Sequence, residues 1–265
     1  MEYKFIFGPV PSRRLGRSLG IDLVPFKTCP YDCIYCQLGR TTKKTVERME
    51  YISTPLIMEE IDRRLKEPSG IDFITFSGSG EPTLHSGLGE LISRVKKWTD
   101  IPVAVLTNGG LFFNPQVRKA VLDADLVIPS LDCGDEEMFQ RINRPHPDIS
   151  FQQMVEGLVY LREEFRGVIW LEVFLVKGIN TLDNEVHKIA SWSRKIRPDR
   201  IQLNTVERPP AEPFVKKPSD SELMSISRVF DGNVDIISSF SDGKRGIHVK
   251  GRSFLFSNEI ISFIM

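Results

Sequence analysis

The sequence predicts an α/β fold whose centre is a parallel sheet covered by helices. Short runs rich in Val, Ile, Leu and Phe alternate with stretches that have a helical spacing of apolar residues, which gives six strand–helix units. The strand runs are continuously apolar, as is typical of strands buried on both faces in a parallel sheet. Periodicity alone leaves open whether this sheet is an open doubly wound sheet or a partial barrel.

In the first half of the chain, hydrophobic runs predict three strands, and stretches with apolar residues three or four positions apart predict helices between them. A cysteine-rich loop follows the first strand, and glycine-containing turns follow the second and third. The strands are expected at 21–24, 71–76 and 103–106, and the helices at 56–65, 87–98 and 116–122.

The second half repeats this pattern with longer elements. The helical region after the fourth strand is broken by Arg144-Pro145-His146-Pro147, since proline interrupts helices. The strands are expected at 126–128, 168–176 and 200–204, and the helices at 135–142, 151–165 and 184–196.

The alternation of strands and helices ends after the sixth unit. From Ser219 the sequence predicts a helix, two short strands near 234–237 and 246–250, and a last apolar stretch. No low-complexity linker occurs, and no repeat beyond the strand–helix unit. We therefore expect a main domain over 1–218 and a small α+β appendage over 219–265.

Composition and charge exclude several classes of protein. Among 265 residues, 35 Lys and Arg balance 35 Asp and Glu, which argues against a protein that coats nucleic acid or membrane by bulk electrostatics. A hydrophobic fraction of 41% excludes a disordered chain. No apolar run reaches the roughly 18–20 residues of a membrane span, and the N-terminus does not resemble a secretory signal. We expect a cytoplasmic protein without membrane contact.

Three of the four cysteines form the strongest motif in the chain. Cys29, Cys33 and Cys36 lie on one short loop after the first predicted strand, and such clustering points to a shared metal centre. Cys133 is distant in sequence, and no histidine lies in the loop. Structural zinc sites and [4Fe–4S] clusters usually take four protein ligands, so three thiolates would leave one iron of a cluster open. A zinc or thiol site remains the alternative at this point.

Polar turns after the next strands add to this site. Ser77-Gly78-Ser79-Gly80-Glu81-Pro82 follows the second strand, Thr107-Asn108-Gly109 the third, and Ser130 and Asp132 the fourth. The carboxyl ends of parallel strands meet at one edge of a sheet, so these residues are expected to face the same mouth as the cysteines. Glu81 could equally be a helix N-terminal carboxylate, and Thr107-Asn108 an ordinary turn.

The loop Cys29-Pro30-Tyr31-Asp32-Cys33-Ile34-Tyr35-Cys36 resembles the Cys-x3-Cys-x2-Cys loop of the radical S-adenosylmethionine (radical SAM) superfamily, with an aromatic residue before the third cysteine. The segment 77–82 is similar to the Gly-Gly-Glu-type motif of that superfamily, and 107–109 to its ribose-binding turn. Within the superfamily, the segments 8–16, 132–146 and 202–210 resemble the Fe–S oxidoreductase branch related to the wyosine (tRNA) synthetases. The resemblance implies a partial (β/α)6 TIM-like barrel.

The resemblance also implies a chemistry. Cys29, Cys33 and Cys36 would ligate three irons of a [4Fe–4S] cluster, and the amino and carboxylate groups of S-adenosylmethionine would chelate the fourth. One electron passing through the cluster would cleave the sulfonium to methionine and a 5′-deoxyadenosyl radical, which abstracts hydrogen from the substrate. We therefore expect an enzyme similar to the Fe–S oxidoreductases, acting on an RNA base or a small metabolite.

The same resemblance assigns contacts with S-adenosylmethionine. Gly78 and Gly80 would let the backbone approach the methionine amino group, and Tyr35 would lie near the adenine. Leu203 and Asn204 would contribute backbone contacts to the adenine. The full set of expected cofactor-binding residues is Tyr35, Gly78, Ser79, Gly80, Glu81, Thr107, Asn108, Ser130, Asp132, Leu203 and Asn204.

The chain departs from the wyosine synthetases, which carry a second cluster on cysteines upstream of the radical motif. No cysteine precedes Cys29, so we expect a single-cluster enzyme. We expect Cys133 to be a buried apolar residue. The alternative roles are a radical relay, a thiol that accepts substrate, and a fourth ligand of the cluster. The alternative functions are a noncatalytic zinc or Fe–S binding module and an Fe–S electron-transfer protein. The glycine-rich turns argue against both, because only the enzyme needs a nucleoside-sized cleft.

The expected partners are S-adenosylmethionine, the substrate, and an electron-donor protein such as flavodoxin or ferredoxin. Basic residues in the first fifty positions form either an electropositive mouth for an anionic substrate or donor, or a solvated face. An RNA substrate is compatible with a local basic mouth but is not indicated by the net charge. The basic residues are Arg13, Arg14, Arg17, Lys27, Arg40, Lys43, Lys44 and Arg48.

Overall fold

An eight-stranded sheet forms the centre of the computed structural model, which describes residues 3–67, 70–237, 245–249 and 252–256. Two short strand pairs accompany it. The strands are β1 (Ile6–Ser12), β2 (Gly16–Ile21), β3 (Thr28–Cys29), β4 (Lys43–Lys44), β5 (Phe73–Phe76), β6 (Val103–Thr107), β7 (Leu126–Pro129), β8 (Val168–Leu175), β9 (Arg200–Thr205), β10 (Val234–Ile236), β11 (Arg245–Val249) and β12 (Arg252–Phe256).

The order of strands in the main sheet is β1-β2-β5-β6-β7-β8-β9-β10. From β2 to β10 every neighbouring pair is parallel, and β1 is antiparallel to β2. Within the described residues the sheet has two edges, at β1 and β10, so it is not a closed barrel. This confirms the predicted α/β class with a partly open, mostly parallel sheet.

Helices connect the parallel strands as the sequence predicts. Several begin at a side chain that accepts a hydrogen bond from the first turn, such as Asn114, Asp135 and Ser150, and Ser150 forms a full capping box with Gln153. The helices are α1 (Thr54–Leu65), α2 (Leu88–Trp98), α3 (Pro115–Val121), α4 (Glu136–Ile142), α5 (Phe151–Glu164), α6 (Asp183–Ile196) and α7 (Asp220–Ser227).

The first strand of the sheet lies earlier than predicted. The expected strand at 21–24 is wrong, because β2 ends at Ile21 and the following residues are a loop. The apolar side chains Leu23 and Val24 are buried within that loop, so hydrophobicity alone misidentified them as a strand. The real strand carries Gly16, Ser18 and Gly20, which gives it no apolar run, and the hairpin that it forms with β1 was not predicted.

The two faces of the sheet carry different cores. The larger core lies between the sheet and the helices and includes Ile74, Val105 and Val173. The alternate positions of the same strands build a second, smaller core from Phe73, Ala104, Leu126, Ile128 and Trp170, onto which the hairpin residue Leu15 packs. The polar residues that follow the strands therefore lie next to a closely packed apolar core.

The C-terminal region continues the main sheet as far as it is described. α7 leads to β10, which pairs in parallel with β9, and β11 and β12 form a separate antiparallel pair. The expected division at 218/219 stays a prediction. The expected last apolar stretch, which follows the strand near 246–250, is described only over 252–256, as β12, and the rest lies outside the described residues. No helix in the described ranges is long and apolar enough to cross a bilayer.

Candidate metal centre

The cysteine loop is held in place by backbone hydrogen bonds from several elements. Cys29 ends the short strand β3, which pairs with β4, and Thr45 N, directly after β4, donates to Cys29 O at 3.2 Å. On the other side, Ile34 N donates to Ile142 O at 2.9 Å and His146 N donates to Pro30 O at 2.7 Å. The loop therefore runs alongside the segment that follows α4, and its three thiols are positioned by the fold rather than by each other.

Each thiol of the loop has a nitrogen donor near its sulfur. Lys27 Nζ lies 3.0 Å from Cys36 Sγ, and Asn108 Nδ2 lies 3.4 Å from Cys29 Sγ. Asn143 Nδ2 lies 3.5 Å from Cys33 Sγ. These donors come from three separate segments of the chain, and hydrogen bonds of this kind stabilise thiolate sulfur.

Burial makes the thiols of Cys29 and Cys33 weak acids. It raises the pKa of Cys29 to about 12, with the negative charge of Glu81 contributing, and it raises the pKa of Cys33 well above its ordinary value. Thiolates in such surroundings are stabilised by metal coordination, which deprotonates a ligating thiol.

The donor set fits an iron–sulfur cluster. Soft thiolates are the ligands of such clusters, and the described residues offer three of them on one loop. Cys133 is fully buried, and its Sγ contacts Asn143 Oδ1 at 3.7 Å rather than joining the loop. Over the described ranges, no three His, Cys, Asp or Glu side chains are grouped tightly enough for a single metal ion.

Tyr35 connects the cysteine loop to the ends of β7 and β8. Its ring stacks on Phe174 with centroids 3.9 Å apart, and its hydroxyl donates to Asp132 Oδ2. Asp132 also accepts from Asn143 Nδ2 at 2.9 Å and from Phe174 N at 2.9 Å. Burial raises the pKa of Asp132 to about 6, although these donors favour its charged form.

Asn143 is a central residue that the sequence analysis left without a role. It ends α4, is almost fully buried, and its amide reaches Cys33, Asp132 and Cys133. The only signal in the sequence was its place beside Arg144-Pro145, within a segment noted for resemblance.

Glu81 links the ends of β5 and β6. Its Oε1 accepts from Thr83 N at 3.1 Å and from the hydroxyls of Thr83 and Thr107 at 2.7 and 2.6 Å. Its Oε2 accepts from Asn108 N at 2.8 Å. Burial raises the pKa of Glu81, and these hydrogen bonds oppose the increase. Glu81 therefore caps the short 3-10 turn Pro82–Leu84 and also holds Thr107 and Asn108 in place, while its part in binding a cofactor stays a prediction.

The turn before Glu81 is glycine-rich for packing reasons. A Cβ on Gly80 would overlap the carbonyl oxygen of Thr28, the residue before Cys29. Gly78 has a φ of +145°, and a Cβ there would lie 2.6 Å from the carboxylate carbon of Asp22. Ser79 between them donates its N–H to Asp22 Oδ2 at 3.0 Å. This turn therefore packs directly against the segment that leads into the cysteine loop.

A polar layer lies on the ends of β8 and β9. Arg14, from the β1–β2 turn, forms an ion pair with Glu172, and Asn204 Nδ2 lies 3.4 Å from Glu172 Oε2. Ser130 forms an isolated bridge with Glu172. Leu203, next to Asn204, is fully buried. Glu172 carries no signal of function in the sequence, because it stands within an otherwise apolar strand.

The predicted site residues divide by accessibility. Tyr35, Gly78, Ser79, Gly80, Asn108 and Ser130 are partly exposed. Glu81, Thr107, Asp132, Leu203 and Asn204 are buried, with Asp132 at 2% and Asn204 at 8% exposure.

Several basic residues of the first fifty positions already have partners within the protein. Arg14, Arg17 and Arg40 are paired with carboxylates, and Lys44 Nζ donates to Arg144 O at 3.1 Å. Arg40 and Arg144 both contact Glu212, whose N–H donates to Ile34 O at 3.0 Å. These four basic residues therefore anchor neighbouring segments, including the cysteine loop.

A loop of three donor-stabilised thiols at the mouth of a partly open parallel sheet defines a class of iron–sulfur protein with an α/β barrel-like fold. The family model for the radical SAM superfamily matches residues 23–192. The chain belongs to this superfamily, which confirms the resemblance, and it is an enzyme of the radical SAM class with a [4Fe–4S] cluster and S-adenosylmethionine as cofactors.

Sequence relatives extend the match over almost the whole chain. A protein of Brachyspira hyodysenteriae named GTPase Obg is 42% identical over 100% of this chain, but the chain spans 39% of that protein. A UPF0026 protein of Methanocaldococcus jannaschii is 36% identical over 96% of this chain and 78% of its own length.

A solved structure agrees with the fold. A radical SAM methyltransferase from Sphaerobacter thermophilus superposes with a TM-score of 0.62 at 14% identity, over 83% of this chain and 65% of that one. At this identity the likeness supports the fold alone.

Proposed function

We propose that this chain is a single-cluster radical SAM enzyme that removes a hydrogen atom from an RNA base or a small metabolite. The observation that carries the proposal is the convergence of the cysteine loop with the ends of β6, β7 and α4. Asn108, Asp132 and Asn143 from these elements contact the loop either at a sulfur or through Tyr35. Cys29, Cys33 and Cys36 would hold three irons, which leaves the fourth open to S-adenosylmethionine.

When bound, the cluster and S-adenosylmethionine supply reductive cleavage of the sulfonium and a 5′-deoxyadenosyl radical. The protein positions both groups and excludes water. In our proposal, the partly exposed Ser79, Asn108 and Ser130 contact S-adenosylmethionine directly. The buried Glu81 and Asp132 act through the groups they hold, since their oxygens are already occupied by protein donors.

The electron donor would dock beside the cysteine loop. Lys43 and Lys44 form the exposed strand β4, in which Lys44 is paired with Cys29 of β3. Two adjacent exposed lysines favour an acidic one-electron carrier such as flavodoxin or ferredoxin, because opposite charges accelerate association. A cytoplasmic location is part of the proposal and is consistent with such an electron donor.

Anaerobic cleavage of S-adenosylmethionine tests the proposal. The protein is loaded with iron and sulfide, reduced with dithionite and assayed for 5′-deoxyadenosine. We expect the wild-type protein to form 5′-deoxyadenosine. The C36A variant should form it at least 100-fold more slowly, because one cluster ligand is missing, and the C133A variant should keep the wild-type rate.

Two results would contradict the proposal. One is a protein with a full [4Fe–4S] cluster that forms no 5′-deoxyadenosine. The other is a colourless protein that holds zinc, which would favour the noncatalytic alternative.

A further inference from the structure

Lys27 is a buried lysine beside the third cysteine. It lies between β2 and β3, its residue is 3% exposed, and its Nζ stands 3.0 Å from Cys36 Sγ. A buried cation is costly unless it meets an opposite charge or strong acceptors. In the described residues, this ammonium donates a hydrogen bond to the sulfur of Cys36, a proposed cluster ligand.

The backbone of Lys27 fixes this arrangement. Its φ is +58°, a left-handed conformation that L side chains rarely adopt. Its N–H donates to Ser79 O at 2.6 Å, and its carbonyl accepts from Lys43 N at 3.1 Å. A strained residue that is held on both sides keeps its side chain in one direction, and such strain is concentrated at functional sites.

Lys27 differs from the other two donors of the loop. Asn108 and Asn143 present neutral amides at 3.4 and 3.5 Å, whereas the Lys27 ammonium is closer and charged. A charged donor makes a shorter and stronger hydrogen bond than a neutral one. The charge of nearby Arg40 is already shared by Asp32 and Glu212.

We propose that Lys27 is a positioning residue that raises the reduction potential of the cluster by holding a positive charge against Cys36. The inference rests on the proposed function. One electron from a carrier protein or dithionite makes the cluster more negative, and no bond forms or breaks in that step. The ammonium stabilises the reduced state more than the oxidised one, because Coulomb attraction grows with the negative charge it faces.

A redox titration followed by electron paramagnetic resonance tests this role without requiring S-adenosylmethionine cleavage. The compared proteins are wild type, K27M, K27R and K119M, the last removing one exposed lysine of α3. We expect K27M to lower the equilibrium constant for one-electron reduction at least tenfold, which is about 59 mV. The reduction potentials of K27R and K119M are expected to stay near that of wild type. K27R keeps the positive charge beside Cys36, and K119M removes a charge from a different part of the surface.

The outcomes separate the possibilities as follows. An unchanged potential in K27M, or an equal fall in K27R, overturns the inference. If K27M folds but takes up no cluster, loading of K27R supports the need for the charge, and failure of both shows a structural role and overturns it. A wild type without a [4Fe–4S] cluster would instead refute the proposed function.

Discussion

At the scale of single residues, contacts between backbone atoms decide where the cysteines lie. Gly80 packs against the carbonyl of Thr28, and Glu81 N donates to that same oxygen at 3.0 Å. Side-chain chemistry at the site therefore depends on a glycine that itself bears no functional group.

Replacing Gly80 with alanine is expected to displace Thr28 and Cys29 and to lower iron content after reconstitution, together with a loss of about 1–3 kcal/mol of unfolding free energy. The control is G39A, in the segment that follows the cysteine loop. Gly39 has a φ of +81° with nothing within 4 Å of a Cβ, so alanine there strains the backbone without a clash. Equal iron contents in the two variants would contradict the account.

Asp132 is expected to make stability depend on pH. Its pKa rises from 3.8 to about 6 on folding, chiefly through burial, so the folded state holds the proton more tightly. The stabilisation that this raised pKa gives to the folded state is fully present below pH 4. It is lost as pH rises through about 6, which changes the free energy of unfolding by roughly 3 kcal/mol. Urea unfolding of the cluster-free protein from pH 4 to 7 should show the wild-type advantage over D132N declining across that range. A constant difference would show that Asp132 does not titrate as described.

At the scale of elements, shared polar groups join the ends of neighbouring strands. Glu81 connects β5 to β6, and Asp132 connects the cysteine loop to β8 through Tyr35 and Phe174. These connections explain why residues far apart in sequence form one site.

The E81Q variant tests such a connection. Glutamine replaces one acceptor oxygen by an amide donor, so at least one of the four protein donors loses its partner, at a cost of about 1–3 kcal/mol. E59Q, at an exposed position on α1, is the control and should change stability by less than about 0.5 kcal/mol. Equal unfolding midpoints in urea for the two variants would contradict the proposed link.

Much of this site was predictable because strand ends in parallel sheets converge. The cysteines stand out by their clustering, and Glu81, Asn108 and Asp132 by their places after apolar runs, and the structure brings these segments into contact. Asn143 and Glu172 were not identified, since a helix C-terminus and a charged residue inside an apolar strand carry no local signal of function. The β1–β2 hairpin was missed for a related reason, because its strands pair through the backbone without an apolar pattern.

At the scale of the whole molecule, we propose that the three thiols on the loop at the mouth of the parallel sheet hold one cluster with one open iron, and that S-adenosylmethionine binds that iron.

Mössbauer spectroscopy of protein reconstituted with 57Fe tests this claim most directly. We predict that adding S-adenosylmethionine shifts the signal of one iron in four, because three are held by cysteine. A [4Fe–4S] spectrum that S-adenosylmethionine leaves unchanged at saturating concentration would contradict the account.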